Sequence, residues 1–337
     1  MIKLEKHSSV SLYFILMGAL LILTLVSLCS GPAGVSLTDG IRDLAAGKPS
    51  AASTVISQIR IPRILLALMV GASLGMAGAA MQGFLRNPLA EPGVLGVSGG
   101  AALGAVLAFY SGWYARWAMA LPLAGMIGAF LSAAFILALA GLTASVHTLI
   151  LAGLAINTMT FALTSLVLNL LSLNNPYASL EIMFWSMGSL ADRNMSHVLL
   201  ALPWIIAGWI LLLSSRRGLD ALSLGEDAAA TLGIPVWRMR LCVILGTACS
   251  VGASVALCGN IGFVGLMIPH FLRPFVRHEP GRLLGTSALG GAIFLLLADL
   301  IVRLVPQLAD LKVGVVTALA GAPFFLYLLF RMRRGLS

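Results

Sequence analysis

The residues that could bind phosphate, metal or an acyl group are few, and their spacing suits none of those tasks. Of the four lysines, Lys3, Lys6, Lys48 and Lys312, only Lys48 follows a glycine, and Pro49 succeeds it. No G-x-x-x-x-G-K-[ST] loop therefore exists to cradle ATP phosphates. No H-E-x-x-H occurs, no G-x-S-x-G stands in a hydrolase setting, and no pair of acids falls inside the apolar runs. The five histidines, His7, His147, His197, His270 and His278, are dispersed. Cys29, Cys242, Cys249 and Cys258 sit in apolar surroundings without a C-x-x-C spacing, which marks them as packing residues. The chain is thus expected to be no enzyme, with no catalytic residue, metal or cofactor of its own.

What remains is charge in unusual places. Asp299 and Arg303 are four apart and can pair along one helix face. Arg60 and Arg63 open one apolar run, and Arg303 closes another. Guanidinium forks at run ends suit the carboxylates of an acidic partner, or they snorkel to lipid phosphate; residue types alone leave both open.

The elements that carry these residues are set by composition. The chain has 337 residues, 59% hydrophobic and 10% charged, with a mean hydropathy of +1.01, so it lacks the polar surface of a water-soluble globule. Apolar runs long enough to cross a ~30 Å hydrocarbon layer recur along its whole length. The spacing predicts an all-α polytopic membrane protein of ten spans, near 10–31, 60–84, 93–110, 117–141, 147–171, 197–214, 240–259, 262–276, 281–303 and 312–330. The run Ser11–Ser30 is read as the first span, because it is longer than a signal core and Leu28 stands where a lipoprotein site before Cys29 needs a small residue.

Small residues at helical spacing, Gly71, Gly75, Ala79 and Gly83 in the second span and Gly125, Ala129 and Ala133 in the fourth, predict close helix packing. With the N-terminus inside, Lys3, Lys6, Arg86, Arg216, Arg217, Arg238, Arg240, Arg273, Arg277, Arg282, Arg331, Arg333 and Arg334 fall on the cytoplasmic side. Arg42, Lys48, Arg60, Arg63, Arg116, Arg193, Arg303 and Lys312 fall outside. That bias puts both termini in the cytoplasm and accounts for part of the +9 net charge without invoking nucleic acid.

The stretch from Ser214 to Arg240 is a long cytoplasmic excursion. Ser223 and Glu226 match a capping box, Leu222 precedes it, and Gly233 with Pro235 stops the short helix. A capped helix in a loop suggests contact with a cytoplasmic partner; the alternative is a helix lying on the lipid.

Longer motifs now carry a resemblance. Arg60-Ile61-Pro62-Arg63-Ile64-Leu65, Gly71-Ala72-Ser73-Leu74, Gly78, Gln82, Asn87-Pro88-Leu89-Ala90-Glu91-Pro92 and Leu95-Gly96-Val97-Ser98-Gly99-Gly100-Ala101 form the first block. Gly259-Asn260-Ile261-Gly262-Phe263-Val264-Gly265-Leu266, Ile268-Pro269-His270, Arg273, Ala298-Asp299, Arg303 and Gly321-Ala322-Pro323-Phe324-Phe325 follow in order. Over nearly the whole chain this resembles the FecCD-type permeases of iron-chelate and vitamin B12 importers.

The resemblance implies a type II ABC importer permease. The chain would form one transmembrane domain over 1–337, with a coupling segment near 215–240, in the bacterial inner membrane. Its partners would be a second permease subunit, two cytoplasmic ATPases that hold ATP and Mg, and a periplasmic binding protein. Arg60, Arg63 and Arg303 match positions that receive acidic residues of the binding protein. Ser223, Gly225, Glu226, Ala229, Leu232 and Gly233 match the segment that enters the ATPase cleft. Ser145, Val146 and His147 fall where the family narrows its pore, and Asn157 is a further pore candidate. One departure is Leu311-Lys312-Val313-Gly314, where the family usually has a proline at the place of Lys312.

The expected cargo is a ferric siderophore, with haem and cobalamin as alternatives. The competing classes are an ion-coupled secondary transporter, which needs a buried acid for its coupling ion, and an intramembrane enzyme, which needs reactive residues at one depth.

Overall fold

The computed structural model describes residues 2–31, 34–117, 119–141, 145–305 and 311–334, with side chains from Ser11 onward except at 174, 329 and 331–334. Lys3, Lys6, Arg331, Arg333 and Arg334, counted above toward the charge bias, lie outside the described side chains.

Among the described residues every regular element is helical, as lipid demands of a chain that cannot leave backbone N–H groups unmet. Helix α1 (Ile2–Cys29) is followed by the short α2 (Leu37–Ala45) and α3 (Ala51–Thr54), the last running through a π turn into α4 (Ile61–Phe84). A 3-10 turn at Pro92–Leu95 precedes α5 (Val97–Tyr110); α6 (Trp113–Arg116), α7 (Ala120–Ala140) and α8 (Val146–Asn174) come next. Then follow α9 (Pro176–Ser186), α10 (Met195–Ser214), α11 (Arg216–Leu222), α12 (Glu226–Thr231) and α13 (Val236–Cys258). Helix α14 (Val264–Leu272) continues as a 3-10 turn to Val276 before α15 (Pro280–Leu304) and α16 (Val313–Arg334).

Ten of these helices coincide with the ten expected spans. Seven are long and apolar enough to cross a membrane by length and composition; Val97–Tyr110, Val264–Val276 and Val313–Leu328 are shorter apolar helices. Helices α4 and α13 are buried along most of their length, whereas α1 and α8 leave most of theirs open. The centre of the molecule is therefore α4 and α13, with the others packed around them.

Small residues explain how those centres come together. A Cβ at Gly71 would lie 2.4 Å from the Gly291 carbonyl, and one at Gly75 would lie 2.0 Å from that of Ser287, so α4 meets α15 backbone to backbone. Gly78 meets Gly265 of α14 in the same way. In α7 the expected stripe faces α13: a Cβ on Gly125 would stand 2.7 Å from that of Ala256, and one on Gly252 would stand 2.5 Å from that of Ala129. Lipid supplies no hydrophobic drive between helices, so dispersion at this range holds the bundle.

The loop between α10 and α13 differs from its expected form. The Ser223 hydroxyl donates to the Asp220 carbonyl at 2.6 Å and closes α11, so the Ser223–Glu226 capping box does not form. Gly225, at φ 113°, begins α12 without a side-chain cap. Ser223 lies two residues before Gly225, which holds the N-cap position itself, so its hydroxyl does not cap the following helix. Gly233 does end α12 as expected, at φ 72°, with its N–H bonded to the Ala230 carbonyl. The Asp220 carboxylate then accepts the Gly281 N–H at 2.6 Å and fastens α11 to the start of α15.

Candidate functional site

Three places gather the residues singled out by the sequence: the two ends of the bundle and an open wall between them. At one end, Asp299 on α15 is fully buried and pairs with two arginines. Arg63 Nε and Nη2 each lie 2.8 Å from Asp299 Oδ1, and Arg303 Nε lies 2.9 Å from Oδ2. Arg303 also reaches the Ser27 hydroxyl and the carbonyls of Ser27 and Ser30 at 3.3 Å. Arg60, only 3% exposed, donates to the Leu28 carbonyl at 2.8 Å and to those of Cys29 and Val35 at 3.4 Å.

These bonds have a clear cause: the last carbonyls of α1 have no partner within their own helix, and guanidinium groups supply the donors. The expected i, i+4 pair of Asp299 and Arg303 is present, and Arg63 from α4 joins it. The three arginines thus fasten α1, α4 and α15 together at this end. Three guanidinium groups gather here around one carboxylate, which pairs with two of them, so the cluster keeps a surplus of two positive charges. Arg63 is its most open member, with 17% of its side chain exposed.

At the opposite end, Glu226 and Asp227 stand in the first turn of α12, where negative charge suits the helix dipole. Ala229 is buried beneath it, while Leu232 is 63% exposed. Ser145 caps α8 by accepting the Thr148 N–H at 3.2 Å, and His147 is exposed one residue inside that helix. Residues 142–144, the other half of this turn, lie outside the described residues. Asn157 does not share this end: it lies within α8, and its Nδ2 donates to the Gly93 carbonyl at 2.7 Å, fastening α8 to the 3-10 turn.

Between the ends lies an open cavity of about 630 Å³, walled by Met187, Asn260, Gly262, Phe263 and one face of α16 that includes Gly314, Ala318, Leu319 and Pro323. No ionisable side chain lines it. The wall is assembled by backbone: the Asn260 N–H bonds the Ser186 carbonyl at 3.4 Å, and the Gly314 N–H bonds that of Gly188 at 3.1 Å. Gly188 and Gly259 make this possible with φ of 80° and 72°. Lys312 stands beside this wall with its ammonium 5.9 Å from the centre of the Phe184 ring. Phe263 stands in a motif quoted above but was given no role there, and its left-handed backbone (φ 68°) is one its residue type disfavours. Asp220, which fastens α11 to α15, was not singled out.

The described residues hold no group of three or more His, Cys, Asp or Glu side chains fit for a metal. The described residues thus form an open wall set between two charged ends of the bundle.

Comparison with known proteins gives the same outline. The FecCD transport family matches residues 19–331. An uncharacterised ABC transporter permease protein of Bacillus subtilis, YvrB, is 40% identical over 288 residues, which are 84% of this chain and 80% of that one. The vitamin B12 import system permease protein BtuC of Salmonella typhi is 38% identical over 316 residues, 93% of each chain. A solved metal-chelate type ABC transporter in an inward-facing conformation superposes with a TM-score of 0.83 at 33% identity, covering 94% of this chain and 98% of its own. PsaBC from Streptococcus pneumoniae, at 17% identity and a TM-score of 0.52, shares the fold.

Proposed function

We propose, given that this chain belongs to the FecCD transport family, that it is the membrane subunit of an ATP-driven importer for a metal chelate. The family is one of transport permeases, and the chain is a multi-pass membrane permease with the type II ABC importer fold. The observation that carries the finer reading is the cavity of about 630 Å³ without ionisable walls, placed between a cationic end and the end of the bundle that carries α12. A bulky chelate needs a wide, inert passage, and this volume lies within the ~300–1,000 Å³ typical of small-molecule sites.

In this reading the arginine end faces the periplasm of a bacterial inner membrane and both termini face the cytoplasm. A loaded binding protein docks there through acidic residues drawn by the surplus charge of Arg60, Arg63 and Arg303. ATP and Mg belong to two partner ATPases, against which α12 acts as the coupling segment through Ser223, Gly225, Glu226, Ala229, Leu232 and Gly233. Nucleotide-driven movement of α11 and α12 would reach α15 through the Asp220–Gly281 bond and switch access between the two sides. Ser145, Val146 and His147 sit at the cytoplasmic narrowing. Asn157, tied to Gly93, holds the wall behind them.

The first cargo is a ferric siderophore. Cobalamin is a second reading, favoured by likeness over 93% of each chain to permeases named for vitamin B12 import; haem is the remaining alternative. The decisive experiment reconstitutes the chain in vesicles with its ATPase and binding protein. Uptake should require ATP and both partners, and uptake that persists without the ATPase would sink the importer reading in favour of a secondary transporter.

A further inference from the structure

Three interruptions of regular structure meet around Phe263, a lining residue of the cavity, well inside the bundle. The first is the 3-10 turn Pro92–Leu95, whose neighbour Glu91 is half-buried. The second is the connection from α13 to α14, which ends at Phe263. The third is the Gly321-Ala322-Pro323 stretch of α16, with a proline inside the helix. The depth follows from packing: Gly265, two residues after Phe263, seats against the Leu74 carbonyl and Gly78, more than half-way along α4. Gly321 lies eight residues into α16, about 12 Å from its start at ~1.5 Å per residue.

Phe263 is where the three join. Its backbone is left-handed at φ 68°, a conformation that a bulky side chain adopts only when its surroundings impose it. Its N–H faces the Glu91 carboxylate, which reaches across from the other chain segment and stands close to Gly93 and Gly262. Its ring lies on Gly321: a Cβ there would come within 2.3 Å of the ring and its stem. Phe263 itself lines the cavity. Helix α14 has no side-chain cap of its own, so Glu91 supplies the acceptor that its first turn lacks.

We propose that the Phe263 ring is a barrier residue of the passage, and that Glu91 is the positioning residue that holds it against Gly321. A ring fixed by a backbone contact and a glycine seat can swing away when α16 shifts, without breaking any side-chain bond of its own. Glu91 acts only through Phe263, so its task needs an acceptor oxygen and not a negative charge. The proposal rests on the permease reading, but it is tested without cargo.

The test uses the assembled complex of this chain with its ATPase, sealed in vesicles that trap carboxyfluorescein. Phe263→Gly keeps the left-handed backbone and removes the ring; Glu91→Leu removes the acceptor; Glu91→Gln keeps one. Phe263→Gly and Glu91→Leu should raise dye leak at least tenfold while ATP hydrolysis stays near wild type, and Glu91→Gln should stay tight. Phe263→Leu, which retains bulk, should leak less than Phe263→Gly. Dye-tight Phe263→Gly vesicles would overturn the proposal, as would Glu91→Gln leaking as much as Glu91→Leu. If Glu91→Leu fails to assemble, the two Phe263 variants and Glu91→Gln still decide it. Failure of ATP-dependent uptake by the tight wild-type complex would count against the importer reading alone.

Discussion

Asp299 is fully buried between Arg63 and Arg303, and its carboxylate is what allows two guanidinium groups to sit at the end of an apolar bundle. Removing one partner of a buried pair costs about 3–5 kcal/mol, because the other charge is left without compensation. Asp299→Asn should therefore lower the thermal unfolding midpoint in detergent markedly, and Arg303→Lys should lower it less, since an ammonium keeps the charge but loses the fork to Ser27 and Ser30. An unchanged midpoint for Asp299→Asn would show that water reaches the cluster. Arg63→Gln, which removes the charge of the most open member but leaves Arg303 on Asp299, should weaken binding-protein affinity by tenfold or more at low salt and by less at high salt, as expected of a partly open charge.

The arginines were legible in the sequence because cations at the ends of apolar runs are costly and rare. Their partners were not, apart from the i, i+4 pair with Asp299. A bond between Arg60 on one helix and the last carbonyls of α1 joins residues 32 apart and uses backbone atoms that carry no sequence signal.

At the scale of the element, the spans were the easiest to read, since lipid ties hydropathy to helix length so directly. The short apolar helices α5 and α14 show where that reading thins out. For α5 and α14, a 3-10 turn or an extended connection occupies part of the depth, and the surrounding protein meets the backbone instead of a helix. The small-residue stripes announced close packing, and the structure supplies the partners of each.

Gly75→Val should thus split α4 from α15, at a cost of about 1–3 kcal/mol or more, and reduce the yield of folded protein on size-exclusion chromatography. Gly18→Val on α1, where nothing lies within 4 Å of the added carbon, should be silent. The coupling loop is the element on which sequence and structure part. Its capping box was a local pattern that the backbone at Gly225 overrode. Gly225→Val would place a branched residue at φ 113° and distort the start of α12, with a penalty of order 1–2 kcal/mol. Affinity for the ATPase should fall several-fold while the spans stay folded; intact ATPase binding by this variant would remove α12 from the interface.

At the scale of the whole molecule, a single chain supplies only one wall. The cavity beside α16 is open, and α8 and α16 together expose Leu151, Leu154, Phe161, Leu173, Leu319, Leu326, Tyr327 and Phe330. Lipid could cover such residues singly. A passage for a polar chelate, however, must be closed to hydrocarbon on all sides, and the chain has no further span to close it with among its described residues. In the importer reading proposed above, a second permease facing the same cavity would meet that need and would put the inert wall on the axis of a pair. Leu319→Cys, in a chain whose exposed Cys29 is replaced, should then form a disulfide-linked dimer in native membranes under mild oxidation. Leu131→Cys, equally exposed but on α7 and outside this cavity, should remain monomeric under the same treatment and so separate a specific pair from collision in the membrane. Cross-linking at neither position would leave the cavity open to lipid, and the passage would have to lie elsewhere in the bundle.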